Sequence, residues 1–507
     1  MGSTMKALLA PHPEGAPAIG APGRDWLSYG GLRALSEKVR DQLRVHGVGA
    51  QDRVAIVLPN GPEMATAFVT IAQSATTAPL NPSYREDEYA FYLDDLKAKA
   101  IVLADGDEGP AFAAANRLGI AVLRAVVAEG APAGAFSLQG PVAEPAPAGE
   151  PTENDVALIL HTSGTTSRPK IVPLLQSNVA ASARHIAESL ALTPQDRCMN
   201  VMPLFHIHGL IAAVSASLQA GGSIFCTNGF NAMNFFAMMK EARPTWYTAV
   251  PTMHQAILTR AGRNADTIKE VPLRFLRSSS ASLPAQVMEQ LRETFGAPVV
   301  EAYGMTEAAH QMCCNRLDLQ KPGSVGVAAG PKVAIAHETE NRIIDGTGEV
   351  VISGPNVTPG YESNPDANAK NFFEVDGLRW FRTGDQGAFD EEGFLHLTGR
   401  LKEIINRGGE KVSPLEVDGV LMDHPAIQQV VTFALPHPKL GEEVAAAVVL
   451  REGMTATERE IRDFALERLA DFKAPRKVVI LDEIPKGATG KMQRIGLAEK
   501  LGLAEPA

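Results

Sequence analysis

The stretch "HTSGTTSRPK" (161–170) sets Thr162, Ser163, Gly164, Thr165 and Thr166 in an unbroken row and closes on a proline and Lys170. Such a run suits neither a helix interior nor a strand. Backbone N–H groups freed at Gly164, the hydroxyls around it and one ammonium match the oxygens of a polyphosphate. A polar surface loop is the other reading. A Walker A loop requires G-x-x-x-x-G-K-[ST] opening a helix, whereas Gly164 stands alone here and Pro169 precedes the lysine, which argues against a P-loop kinase.

Four later stretches carry further chemistry. "EAYGMTE" (301–307) offers an aromatic face, a glycine and a carboxylate, enough to stack a base and hold a magnesium ion. "WFRTGD" (380–385) ends on Asp385, whose two oxygens can accept both hydroxyls of a ribose. "GRLKEIINRGGEKVSPLEVD" (399–418) joins two parts of the chain, and "PKGATGKMQR" (485–494) sets Lys491 in a glycine-flanked loop. Taken singly, each reads equally as a helix cap, a turn or an exposed lysine.

Elements must position these groups. Over roughly the first 300 residues short apolar runs alternate with helical patterns: "RVAIVL" (53–58) then "PEMATAFVTIAQS", "AIVLA" (100–104), "VALIL" (156–160), "TWYTAV" (245–250) and "PVVEAY" (298–303). The alternation predicts βα units on mostly parallel, buried sheets, so the fold class is α/β. "VALIL" feeds the hydroxyl-rich loop, placing it at the C-terminal edge of a strand, where such folds bind ligands. A helix is expected from Pro284 to Gly296, with Val287, Leu291 and Phe295 on one face. The Ala/Pro/Gly-rich stretch 127–155 reads as a plain surface linker. Gly-punctuated strands between 321 and 399 suggest an antiparallel, barrel-like segment, and after Arg400 about one hundred residues of mixed pattern form a separate small α+β domain. The expected division is 1–399 and 400–507, and no internal repeat is visible.

Composition sets limits. A chain of 507 residues exceeds one core. The net charge of −11 argues against a nucleic-acid or anionic-membrane binder. Four cysteines, two adjacent, give neither a disulfide framework nor a metal spacing. With no apolar run long enough for a membrane span, no signal pattern and no peroxisomal ending in "EPA", a cytoplasmic setting is expected. The opening "MGSTM" is given no weight.

The five motifs, in this order and across nearly the whole chain, resemble the adenylate-forming superfamily of acyl-CoA synthetases, luciferases and peptide-synthetase adenylation domains. The resemblance implies a large N-terminal domain and a small C-terminal domain that swings about a hinge at Lys402. It implies a two-step reaction in which a carboxylate and ATP give an acyl adenylate and pyrophosphate, and coenzyme A then gives the thioester and AMP. Thr162, Ser163, Gly164, Thr165, Thr166 and Lys170 would hold the phosphates. Ser280, Glu301, Ala302, Tyr303, Gly304, Met305 and Thr306 would line the adenine side, Glu307 would bind magnesium, and Asp385 and Arg400 would hold the ribose. Lys491, Thr162, Glu307 and His206 form the implied catalytic set, with Lys491 bridging the acid and the α-phosphate. Gly408 and Gly409 would let a pantetheine arm pass, although a tight turn explains them equally. Arg407 and Lys411 could meet coenzyme A phosphates or simply be solvated. Ser167 and Ile171 stand where the pattern "SGTTGxPKGV" has glycines.

The segments that shape the acid pocket in this superfamily are here "FHIHG" (205–209), "RSSSAS" (277–282) and "AAHQM" (308–312). Serines, Arg277 and histidines 206, 208 and 310 make a polar lining, wasted on a greasy tail and suited to a short acid with a second anionic or hydroxyl group. A zinc pair at His206 and His208 is the other reading, without an evident third ligand. The runs "SSSASL", "KPGSVG", "GPNVTPGY" and "INRGGEKVSPLEVD" look most like the oxalate CoA ligase branch of plants and fungi, Ser167 included. That likeness implies oxalate as substrate, with His206, Ser279, Ser280 and His310 near its distal carboxylate. Glycolate, malonate, acetate or an aryl acid, a carrier protein in place of coenzyme A, and a non-enzymatic nucleotide module remain the alternatives. The oligomeric state, monomer or homodimer, is open.

Overall fold

The computed structural model describes residues 2–162, 169–485 and 492–504. Ser163, Gly164, Thr165, Thr166 and Lys491 therefore lie outside the described residues.

Among the described residues the chain forms four sheets. In a seven-stranded sheet, the strands 121–126, 100–104, 53–57, 76–79 and Val156–Thr162 (β1) run parallel, and Lys170–Leu175 (β2) folds back antiparallel at one edge. A nine-stranded sheet contains the parallel neighbours Trp246–Ala249 (β3), Phe275–Ser279 (β4) and Val299–Met305 (β5), followed by the antiparallel return His310–Cys314 (β6). An antiparallel sheet over 332–400 includes the hairpin Leu378–Phe389 (β7) and Leu395–Arg400 (β8). A last sheet over 405–480 forms the smaller C-terminal unit.

Burial on both faces explains the unbroken apolar runs. Val54 and Ile56 point into the core between the two large sheets, while Ala55 and Val57 enter a second core under the helices on the outer face. Helix Pro62–Ile71 is buried on almost every side, as a central-layer helix must be. The helix expected after Pro284 runs Ala285–Phe295, buries Val287, Leu291 and Phe295, and ends on Gly296 at φ 62°, a left-handed position that glycine reaches without strain.

Two expectations need correction. The 127–155 stretch is not a plain linker: Ser137–Gln139 pairs antiparallel with Ala121–Val126, and Ala133, Phe136 and Leu138 are buried. Three apolar residues scattered among Ala, Pro and Gly are too few to show a period, yet enough to anchor an edge strand. The opening residues also carry weight, because Thr4 caps helix Met5–Leu9, Met5, Leu8 and Leu9 are buried, and the Met5 N–H donates to Gln176.

The C-terminal unit meets the large one through polar contacts, in which Gln255 donates to the Gln428 carbonyl (3.2 Å), Gln286 to Asp423, Lys411 pairs with Glu338 (2.8 Å) and Ser413 donates to the Thr398 carbonyl, and residues of both units, Val287 and Met422 among them, belong to one buried apolar cluster. No helix among the described residues is long and apolar enough to cross a membrane.

Candidate functional site

Strand register builds one half of the site. Thr162 ends β1 directly opposite Lys170 at the start of β2, so both frame the loop between the strands. Asp385 and Arg400 are cross-strand partners on the β7–β8 hairpin, and the Arg400 Nε lies 3.2 Å from Asp385 Oδ1. Tyr303, near the end of β5, donates its hydroxyl to Asp385 Oδ2 at 2.5 Å. The candidate base-stacking and ribose-holding residues thus touch, although 82 positions separate them in sequence. Beneath them, the buried Arg382–Glu349 pair (2.5 Å) and the Gly384 N–H donating to Glu349 (2.9 Å) fix the turn into Asp385.

Glu307 follows β5 in a short 3-10 turn with Thr306, and its carboxylate is buried. It accepts a hydrogen bond from the Tyr361 hydroxyl (2.9 Å), and the Lys170 ammonium sits over the Tyr361 ring at 4.4 Å. Burial raises the Glu307 carboxyl above its ordinary range, opposed by Tyr361, Arg400 and Lys170. The exposed Lys402 is held below the usual ammonium range by partial burial and by the charges of Lys370, Lys170 and Arg400. These four cations, Lys170 at the start of β2 among them, are near enough to act on one another, a field suited to a polyanion.

The acid-pocket candidates separate into two groups. Ser280 leaves the end of β4 with φ 75°, and its hydroxyl lies 3.0 Å from His208 Nδ1. His310 opens β6 with φ 100°, opposite Met305, and its Nε2 lies 3.4 Å from an Arg277 nitrogen. Left-handed backbone at non-glycine residues costs of order 1–3 kcal/mol and persists where the surroundings hold it. Ser279 is not brought into this group, because its buried hydroxyl donates to the Ala302 carbonyl at 2.7 Å and ties β4 to β5. His206 stays half-buried, with its ring against Phe205 at 4.3 Å. Both His208 nitrogens are engaged, by Ser280 and by Thr248 (2.7 Å), and no group of three metal-ligating side chains occurs among the described residues.

Gly304 pairs with Gln311, and a Cβ there would come within 2.0 Å of the His310 carbonyl oxygen, so only glycine fits. Gly408 and Gly409 form the two-residue loop of a hairpin, at φ 60° and 97°, so turn geometry accounts for both.

Sequence reasoning undervalued Arg277. It lies on β4 beside Thr248 of β3, is 0% exposed, and its guanidinium reaches Gln311 (3.1 Å) and His310. Burial and the cysteines Cys314 and Cys198, with no carboxylate among the described residues, set its electrostatic surroundings, and its Nε has no hydrogen-bond partner among the described residues. The signal available in sequence was an arginine inside an apolar strand. Gln311 lay in the pocket segment 308–312 without being singled out, and nothing pointed to Thr248 or Tyr361 individually.

Glu301 turns its side chain to the backbone of the same loop, accepting from the Leu283 N–H at 2.8 Å. Burial pushes its carboxyl up to about 8 from 4.5. A raised carboxyl pKa contributes stability that is complete below about 4.5 and lost as pH rises through about 8. Glu301→Gln, neutral throughout, is expected to flatten this slope, keeping at about pH 9 stability that the parent loses. Urea midpoints of both proteins near pH 5 and pH 9 check it; parallel pH profiles would show that Glu301 ionises freely in the fold.

Comparison with known proteins agrees with this arrangement. Residues 7–362 match the family described as AMP-binding enzyme, and residues 416–491 match the AMP-binding enzyme C-terminal domain. The chain is 44% identical over 491 residues to the oxalate–CoA ligase of Arabidopsis thaliana, covering 94% of each. It is 42% identical over 479 residues to the oxalate–CoA ligase of Saccharomyces cerevisiae, covering 89% of this chain and 87% of that one. Its structure superposes on ATP-bound MatB from Rhodopseudomonas palustris with a TM-score of 0.87 at 28% identity, covering 99% of each chain. The chain thus belongs to the AMP-binding enzyme family of adenylate-forming acyl-CoA synthetases.

Proposed function

We propose that the protein ligates oxalate to coenzyme A at the expense of ATP. The observation that carries this reading is the buried Arg277 guanidinium, unaccompanied by any described carboxylate, set behind Ser280, His208 and His310 at the strand ends next to Tyr303 and Glu307. A buried charge without a counter-charge is costly, and a second carboxylate on the substrate supplies the missing partner. A greasy or aryl acid offers nothing to offset it. The two relatives named as oxalate–CoA ligases support the same choice.

In this reading one carboxylate oxygen attacks the α-phosphorus of ATP and pyrophosphate leaves. Both reactants are anions, so the protein must cancel repulsion and hold them in line. Lys170, with Thr162 and the loop residues 163–166, faces the departing phosphates, Asp385 and Arg400 hold the ribose, and Tyr303 packs on adenine. Glu301, Ala302, Gly304, Met305 and Thr306 line the nucleotide through the end of β5. His206 borders the reacting carboxylate, and Lys491 bridges it to the α-phosphate. A magnesium ion fits Glu307: one hard carboxylate beside a phosphate site, without a three-ligand protein cluster among the described residues, is the donor set this ion uses with nucleotides. When bound, it would neutralise charge on the departing pyrophosphate.

The thiol sulfur of coenzyme A then attacks the same carbonyl, loses its proton and expels AMP. One group must leave before the other arrives, so the unit after residue 399 turns about Lys402. Gly408 and Gly409 leave the hairpin without side chains where the pantetheine arm would pass. Four buried, unpaired cysteines fit a reducing cytoplasm.

Pyrophosphate release with ATP, coenzyme A and a panel of oxalate, malonate, glycolate, acetate and cinnamate tests the reading. Oxalate is expected to show the highest kcat/KM. A preference for cinnamate-type or long-chain acids would overturn it, and activity with a carrier protein but not with free coenzyme A would change the partner class.

A further inference from the structure

Tyr361 stands between Glu307 and Lys170, the residues that the proposed reaction assigns to magnesium and to the phosphates. Its hydroxyl donates to Glu307 Oε1 at 2.9 Å, and the Lys170 ammonium lies 4.4 Å from the centre of its ring. The side chain is 6% exposed and packs against Phe381 at 6.4 Å, which in turn meets Phe372 at 5.0 Å. An aromatic ring attracts a cation to its negative face, while its hydroxyl donates near the plane of the ring. One tyrosine can therefore hold an ammonium and a carboxylate at once, from different sides. A phenylalanine would pack equally well against Phe381; only the hydroxyl reaches Glu307.

The backbone around Tyr361 is fixed from several directions. Asn368 accepts from the Tyr361 N–H at 2.7 Å and donates to its carbonyl at 2.8 Å, so one side chain closes on both polar groups of that residue. Three residues earlier, the Thr358 N–H donates to the Glu307 carbonyl (2.8 Å) and its hydroxyl to the Pro173 carbonyl of β2 (2.7 Å). One residue later, the Glu362 N–H donates to the Ile171 carbonyl (3.1 Å), and the Glu362 carboxylate pairs with Arg53 (2.7 Å). The segment 358–362 thus bridges β2, which carries Lys170, and the turn after β5, which carries Glu307. Those two elements belong to different sheets, so their relative placement depends on this bridge. A hydrogen bond to one carboxylate oxygen leaves the other oxygen for a hard cation. Partners of that kind orient a metal ligand, and losing one typically costs 10- to 100-fold in metal affinity or activity.

We propose that Tyr361 is a positioning residue for the first half-reaction: its hydroxyl sets the Glu307 carboxylate for magnesium while its ring sets the Lys170 ammonium for the phosphates, so that metal and cation meet one nucleotide in a fixed relation. This rests on the roles proposed above for Glu307 and Lys170, through which Tyr361 acts.

Calorimetric binding of α,β-methylene-ATP, which cannot transfer its adenylyl group, tests it in EDTA and in magnesium; the ratio of the two affinities is the metal-dependent gain. Tyr361→Phe keeps the ring and removes the hydroxyl. It is expected to leave metal-free binding within about 2-fold of the parent and to cut the metal-dependent gain by about 10-fold or more. Tyr361→Leu, or Tyr361→Met where the leucine variant does not fold, removes the ring as well and is expected to weaken metal-free binding by a further ~2- to 5-fold. A tyrosine needed only for packing would instead give equal losses in EDTA and in magnesium, which would overturn the proposal. An undiminished gain in Tyr361→Phe, while Glu307→Gln loses it, would overturn the proposal and leave the role of Glu307 standing. A gain that survives Glu307→Gln would remove the Glu307 reading itself, and the proposal with it. Metal-free binding that is the same in Tyr361→Phe and in the aliphatic variant would overturn the part given to the ring.

Discussion

Lys491→Ala is expected to slow adenylate formation by about 100- to 1000-fold while sparing thioester formation from a pre-made acyl adenylate. The figure corresponds to about 2.7–4 kcal/mol, the loss of one donor aimed at charge that develops in the transition state. The described site explains why one more cation is needed. In the proposed mechanism Lys170, Lys402 and Arg400 stand on the phosphate and ribose side, and Arg277 stands behind the far end of the acid pocket. Between them, the attacking carboxylate meets the α-phosphate with two negative charges in contact. A lysine carried on a separate unit can enter for that step and withdraw for the next, which a residue on the rigid strands of the large unit cannot do. Single-turnover measurement of each half-reaction separates the two effects. Equal loss in both would show that Lys491 supports the fold or the domain arrangement rather than the first step.

Asp385→Ala is expected to lower kcat/KM for ATP by about 100-fold or more, with the largest share in KM. Hydrogen bonds to a charged acceptor are worth about 1.5–3 kcal/mol each, and Asp385 has two oxygens to offer a ribose diol. The loss extends beyond the ligand, because the same carboxylate accepts from Tyr303 and pairs with Arg400. Removing it leaves a buried Tyr303 hydroxyl without its acceptor and lets the ring swing from the position proposed for adenine stacking. Asp385→Asn keeps the shape and one acceptor oxygen, and is expected to fall between the two. A KM for ATP unchanged in Asp385→Ala, with the fold intact, would place the ribose elsewhere.

Much of the architecture was legible because buried parallel strands leave unbroken apolar runs: "AIVLA" is the observed strand Ala100–Ala104. Helix 285–295 was legible from its period and its terminal glycine. The 127–155 segment was not, since an edge strand of three residues has no period to read. At the site, the motifs marked Tyr303, Glu307, Asp385 and Arg400, but not that Tyr303 would touch Asp385, which depends on how two separate sheets approach. In the serine run, neighbouring residues face opposite sides of a strand, and a single positive φ at Ser280 decides which hydroxyl meets His208. No local pattern encodes that. Arg277 was the deepest case: an arginine in a strand looks like an accident of composition until the structure surrounds it with acceptors and leaves out a carboxylate.

The account turns on a second carboxylate completing the charge around that buried guanidinium. Incubating the enzyme with ATP, magnesium, free coenzyme A and an equimolar mixture of oxalate, glycolate, malonate and acetate, and weighing the thioesters by mass spectrometry, measures this choice in one tube. Oxalyl-CoA is expected to dominate the products. A mixture led by acetyl-CoA or glycolyl-CoA, with oxalate left unconsumed, would contradict it.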